Sequence, residues 1–241
     1  MPPARNFNAS CAFAILCLAA SPVAQAGLPE LRLSASNTVP GCVTPQRLMS
    51  YMERSNEKLH PRFKEIAARY QEHGETLGIR WDYAFFQMLL ETNYLKYTGA
   101  DNPKQNNFAG IGTTGGGVRG NSFPDVSSGV LAQMQHLVAY SGERVGNPVA
   151  SRTAENQDDI IAISRKLGRP LRFSDLQMRW AIDRGYAKKI EAVANRFFAA
   201  HCPDPNDRGA VLEAAASQPR SVPAPTPVYT GRLVNAAGSG P

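Results

Sequence analysis

Between residues 44 and 202 the apolar positions recur mostly at helical spacing. Thr44-Pro45 reads as an N-cap with proline at the first helical position, and predicts a helix running toward Lys58. Pro61 opens a second helix, in which Phe63, Ile66, Ala67 and Tyr70 keep the spacing until Gly74. The stretch from Trp81 to Tyr94 is apolar on nearly every side, which marks a helix buried all round. Asn102 to Ser122 is the contrasting piece, rich in Gly and Asn and poor in large apolar residues. It reads as a loop or a small β-hairpin. Asp125 or Ser127 then caps a helix built on Val130, Leu131, Met134, Leu137 and Val138. A further helix is expected after Asp158 and a short one after Ser174. Asp183 is expected to cap the last, with Ala187, Ile190, Ala194 and Phe197 as its buried stripe. The expected fold class is mainly α, a helical domain with one small glycine-rich β-lobe or loop.

Outside this block the pattern changes. Arg5 is the only charge before a short apolar run, Cys11 to Ala20, followed by Ala24-Gln25-Ala26. That is the pattern of an export signal with an A-x-A cleavage site, and residues 1–26 are read as one. The run is too short to span a bilayer, which takes about 20 apolar residues. No later segment is long and apolar enough to do so. Residues 27–43 form an irregular lead-in, 44–202 one domain, and 203–241 a Pro- and Ala-rich tail expected to be disordered. A periplasmic or secreted bacterial protein is the expectation.

Cleavage after Ala26 removes Arg5 and no acid, so the net charge of +6 becomes +5. The tail is charge-balanced, which assigns the basic excess to the domain. Such a surface suits an anionic polymer, but no basic run interleaved with aromatics points to nucleic acid. Cys11 and Cys17 leave with the signal. Cys42 and Cys202 remain, an even pair flanking the helical block in an exported chain, and are expected to form a disulfide. His60, His73, His136 and His201 are scattered, with neither C-x-x-C nor H-E-x-x-H, so neither a metal nor another cofactor is expected.

Candidate chemistry lies in the buried helix. Only Gln87 and Glu91 interrupt its apolar centre; four residues apart, they share a face, and Glu91 falls near the C-terminus. Apolar surroundings and the negative end of the helix dipole both disfavour a charged carboxylate. A glutamic acid that keeps its proton is what glycoside cleavage asks of a general acid. A glutamate that merely reaches water at the helix edge is the competing reading.

The residues that follow weigh on that choice. Glu91-Thr-Asn-Tyr-Leu-Lys96 is succeeded by Asn106-Asn107-Phe108-Ala109-Gly110-Ile111-Gly112, and far downstream by Trp180-Ala-Ile-Asp-Arg-Gly-Tyr186-Ala-Lys-Lys-Ile190. In this order the three motifs resemble the glucosaminidase family of peptidoglycan hydrolases, over roughly Arg62 to Phe198. The resemblance implies a lysozyme-like fold and, as substrate, peptidoglycan or another glycan containing N-acetylglucosamine. It implies Glu91 as general acid and Tyr186 beside the acid or the substrate. Gln87, Asn107, Phe108, Gly110 and Trp180 are then candidate substrate contacts. On the residues alone, Asn106, Asn107, Gly110 and Gly112 are equally ordinary turn formers. On the same basis, Tyr186 and Trp180 are more often core aromatics than substrate contacts. Gly115 to Gly117 is a candidate lip over a groove, or a plain flexible loop.

One departure matters. Many members of that family carry a second acid in the lobe, whereas no Asp or Glu occurs between Ile111 and Pro124. Asp125 reads as a cap; Asp101, Glu143, Asp158 and Asp175 are remoter candidates. The two-carboxylate schemes then lack an evident second member. Three routes stay open: attack by the substrate's own 2-acetamido oxygen, a carboxylate folded in from elsewhere, or a lone Glu working as in lytic transglycosylases. A wall-binding module without turnover is the non-enzymatic alternative.

Overall fold

The computed structural model of the chain describes residues 27–97, 103–113 and 119–202. The expected signal and tail, Asp101, and the Gly115–Gly117 lip lie outside these residues. The described chain is mainly helical: α1 Pro45–Ser55, α2 Ile66–Leu77, α3 Trp81–Glu91, α4 Val126–Tyr140, α5 Ser151–Arg165 and α6 Tyr186–His201. Short 3-10 turns occur at Pro61–Phe63, Pro103–Gln105 and Phe173–Leu176. None of the helices is long and apolar enough to cross a membrane.

Helix α3 is the axis of the core. All ten residues from Trp81 to Leu90 are buried, so α3 must be walled on every side. Helices α2, α4 and α6 supply the walls. Helix α2 starts at Ile66 rather than Pro61 and runs past Gly74, which is no stop signal. A Cβ at Gly74 would lie 2.3 Å from Trp81 Cβ, so the missing side chain is what seats α3 against α2. The stop comes at Gly78, with φ of 64° and a left-handed cap.

Two other starts differ from expectation. Helix α5 begins at Ser151 on an Ala150 N-cap, and Asp158 is an exposed residue within it. Asp183 sits two residues before Gly185, the N-cap of α6, and accepts the Gly185 N–H at 2.7 Å, a local turn rather than a cap. Asp125 does cap α4, its Oδ1 accepting the Ser128 N–H at 2.7 Å.

The lead-in carries no helix or strand, yet it is built into the core. Leu28 and Leu31 are buried. Leu31 N–H donates to Leu171 O at 2.7 Å, and Arg80 N–H to Leu31 O at 2.9 Å, which clasps α3. The Cys42–Cys202 disulfide, with Cα atoms 5.5 Å apart, ties the start of α1 to the end of α6 across 160 residues of sequence. Closing a loop of that length in the unfolded chain contributes about 4 to 5 kcal/mol in the chain-entropy model.

The glycine-rich segment is a loop among its described residues, not a β-hairpin. Residues 105–111 and 120–123 face each other and exchange single hydrogen bonds, Asn121 N–H to Ile111 O at 2.8 Å and Phe123 N–H to Gln105 O at 2.8 Å. No regular ladder forms between them.

Candidate active site

Glu91 is the last residue of α3 and half-buried. The chain beyond it is bent sharply: Asn93, Tyr94, Leu95 and Tyr97 all have positive φ, between 47° and 60°. Non-glycine residues in that region cost on the order of 1 kcal/mol or more each and persist where neighbours impose them. Here Thr92 Oγ1 donates to Met88 O at 2.8 Å and accepts from Leu95 N–H at 2.9 Å. Asn56, the C-cap of α1, donates to Tyr94 O at 2.9 Å. The Tyr94 hydroxyl meets that of Tyr51 at 3.2 Å, and burial pushes the Tyr51 phenol well above its ordinary titration range. The turn is thus fastened from both sides, and Glu91 is held at a fixed helix end.

Tyr186 opens α6 and is fully buried, and its hydroxyl donates to Glu91 Oε1. Gln87 Nε2 donates to that same hydroxyl oxygen at 2.8 Å. Glu91 and Gln87 of α3 and the distant Tyr186 therefore meet in one hydrogen-bonded group. Gln87 is fully buried and its amide is spent inside the protein, so it supports the site instead of touching a substrate.

Three other candidate contacts prove internal for the same reason. Phe108 is buried edge-on against Phe63, with ring centroids 5.9 Å apart. Trp180 is buried between His136 and Tyr140, with centroids 5.0 and 5.2 Å away, which leaves no face for a sugar. Asn107 is a brace: its Nδ2 donates to Ile111 O at 2.9 Å and Asn121 O at 3.0 Å, and its Oδ1 accepts Ile111 N–H at 2.9 Å. Gly110, partly exposed with φ of 62°, stays at the surface of the turn that Asn107 braces.

The loop is seated by a residue that the sequence reading passes over. A Cβ at Gly129 of α4 would lie 1.9 Å from Asn106 O, so only glycine lets the loop backbone rest on the helix. Gln133, which the sequence reading also passes over, stands behind Gln87, and Tyr70 lies behind Gln133, outside the site itself. Gln133 Nε2 reaches Gln87 Oε1 at 3.0 Å, and the Tyr70 hydroxyl donates to Gln133 Oε1. No local signal marks Gln133, since α4 also carries Gln135 and His136.

The other described carboxylates named as candidates are occupied elsewhere. Asp125 is the α4 cap, and the Ser128 N–H holds its carboxyl below the ordinary value. Glu143 pairs with Arg32 at 3.2 Å, Asp158 with Arg144, and Asp175 with Arg169 at 2.7 Å. Asp183, expected only as a cap, is engaged as well: burial opposes its ionisation, but Lys189 and the Gly185 N–H outweigh it and hold that carboxyl low. Among the described residues these side chains give Glu91 no second acid opposite it.

The helical domain thus sets one half-buried carboxyl at a helix end, with a phenol on one of its oxygens. The chain belongs to the glucosaminidase family, whose model, described as mannosyl-glycoprotein endo-beta-N-acetylglucosaminidase, matches residues 67–198. Its general class is therefore that of a glycoside hydrolase of peptidoglycan. It is similar to an uncharacterized protein of Borreliella burgdorferi, 32% identical over 147 residues that cover 61% of this chain and 69% of that one. No solved structure gives a significant match.

Proposed function

We propose that the protein is an exported endo-acting glycosidase that cleaves the β-1,4 bond next to N-acetylglucosamine in peptidoglycan, with Glu91 as general acid. The observation that carries the reading is the Tyr186 hydroxyl on Glu91 Oε1 at the end of a helix buried along its length. Glu91 gives its proton to the bridging oxygen as the bond from that oxygen to the anomeric carbon breaks. The substrate's 2-acetamido oxygen closes on the anomeric carbon, and water then opens the ring so formed, returning a proton to Glu91. A disulfide between the domain's two ends supports an oxidising compartment, the periplasm or the cell exterior.

A second reading is favoured by the engagement of the other candidate acids. Glu91 alone would first protonate the oxygen leaving a muramic anomeric carbon, then take the proton from that sugar's 6-hydroxyl as its oxygen bonds to the same carbon, the lytic transglycosylase outcome. Mass spectrometry of muropeptides released from purified sacculi separates the two. The proposal expects a reducing N-acetylglucosamine end; a 1,6-anhydromuramic end would replace it with the second reading. In the same assay Glu91→Gln is expected to lower release by about 10²- to 10⁴-fold. Equal release by variant and wild type would end both readings.

A further inference from the structure

Five side chains from four helices stand in single file through the middle of the molecule. Tyr70 of α2 donates to Gln133 Oε1 of α4. Gln133 Nε2 donates to Gln87 Oε1 of α3 at 3.0 Å, Gln87 Nε2 to the Tyr186 hydroxyl of α6 at 2.8 Å, and that hydroxyl to Glu91 Oε1. Tyr70, Gln133, Gln87 and Tyr186 are fully buried.

The direction of this row is dictated by one backbone atom. Gln133 Nε2 also lies 3.1 Å from Ala84 O, and a carbonyl oxygen can only accept. The nitrogen of Gln133 must therefore face α3, and its oxygen must face Tyr70. Because Gln133 presents a donor, Gln87 must answer with its oxygen, which turns its own nitrogen toward Tyr186. The Tyr186 oxygen is then an acceptor on the Gln87 side, and its single proton is directed at Glu91. Reversing any link would set two donors or two acceptors face to face in a buried site and leave buried polar groups unmatched.

We propose that Ala84 O and Gln133 form a positioning device that fixes the Tyr186 hydroxyl as a donor to Glu91 Oε1, and so assigns the proton given to the substrate to Oε2. The inference rests on Glu91 being the general acid. The row orients and does not conduct: passing a proton through two amides would require both to become imidic acids. A donor on Oε1 favours the carboxylate left after proton transfer. It also keeps that oxygen from competing for the acidic proton.

Tyr70 separates orientation from conduction. It ends the row but does not set its direction, since Ala84 O does. Its phenol is held well above the ordinary titration range by burial, so it remains a donor throughout.

The test is the pH dependence of kcat on soluble glycan strands for wild type, Gln133→Met and Tyr70→Phe, with unfolding midpoints measured alongside. Gln133→Met is expected to lower kcat by about tenfold with KM unchanged. It should also move the limb on which Glu91 loses its proton to higher pH by about half a unit or more, because the carboxylate loses its dedicated donor. Tyr70→Phe is expected to lower the unfolding midpoint and leave that limb in place. A wild-type limb in Gln133→Met, or equal displacement in both variants, would overturn the proposal. Should Gln133→Met not fold, the hydroxyl proton of Tyr186 in the wild-type NMR spectrum, identified by its loss in Tyr186→Phe, is expected to shift in Glu91→Gln. No shift would overturn the donor assignment. Full activity in Glu91→Gln would instead remove the general-acid reading itself.

Discussion

At the N-terminal end of α3, Arg80 and Asp82 lie wholly inside the protein and bind each other through two hydrogen bonds of 2.9 and 2.7 Å. A third, 2.7 Å from Arg80 Nη1, goes to Asn37 Oδ1, whose own nitrogen holds the lead-in carbonyls of Glu30 and Arg32. At the other end of the same helix, Gln87 passes its hydrogen bond through Tyr186 to Glu91, which is half-buried. The first network is closed and every polar group serves the fold. The second is open, ending in an acid near solvent. Burial of polar groups therefore does not distinguish structure from function in this domain; where the network ends does.

The comparison can be broken at its closed end first. Removing one partner of a buried ion pair strands the other, so Asp82→Ala is expected to cost about 3 to 5 kcal/mol of stability. Activity per folded molecule should stay at the wild-type level, as read by chemical denaturation beside active-site-normalised rates. A selective loss of kcat in a fully folded Asp82→Ala would merge the two networks.

Tyr186→Phe attacks the open end. It deletes one hydroxyl in a packed site, and kcat is expected to drop by about 10- to 100-fold, or about 1.4 to 2.8 kcal/mol of barrier. The general-acid limb should move to higher pH, since a donor to the carboxylate is gone. A variant that only unfolds earlier, with normal kcat, would place Tyr186 among the structural residues.

His136 sharpens the contrast more gently. It is buried against Thr153 at 2.9 Å and belongs with the closed kind. Burial holds its folded-state pKa down at about 3. The unfolded chain thus takes up a proton at higher pH than the folded one. The neutral ring's contribution is complete above about pH 6.5 and is lost as pH falls toward 3. Unfolding free energy should decline from this source by up to about 1.4 kcal/mol per pH unit in that window. His136→Gln should flatten the slope, measured by urea titration between pH 7 and 4, and an unchanged slope would reassign it.

Much of this was legible in the residues, and what was not has physical reasons. The all-round apolar run of α3 announced a buried helix, and its two interruptions, Gln87 and Glu91, led to the site. The Asp125 cap and the cysteine pair were readable because each rests on local chemistry or compartment. Trp180, Phe108 and Asn107 are candidate substrate contacts through the resemblance alone; in sequence, aromatics and amides serve cores and glycans alike, and packing buries all three. Gly74 looked like a helix stop because the close approach of Trp81 that demands it comes from the next helix. Gln133 escaped notice because its role exists only through residues 46 and 49 positions away. The left-handed turn after Glu91 carries no glycine to signal it and is imposed by Thr92, Asn56 and Tyr51.

The central claim is that Glu91 supplies the proton to the departing oxygen. Its most direct test compares Glu91→Gln with wild type on two chitooligosaccharide glycosides, one with a sugar leaving group and one with dinitrophenolate, which departs without a proton. The account predicts a deficit of about 10²- to 10⁴-fold on the first that shrinks to about tenfold or less on the second. An equal deficit on both would contradict it.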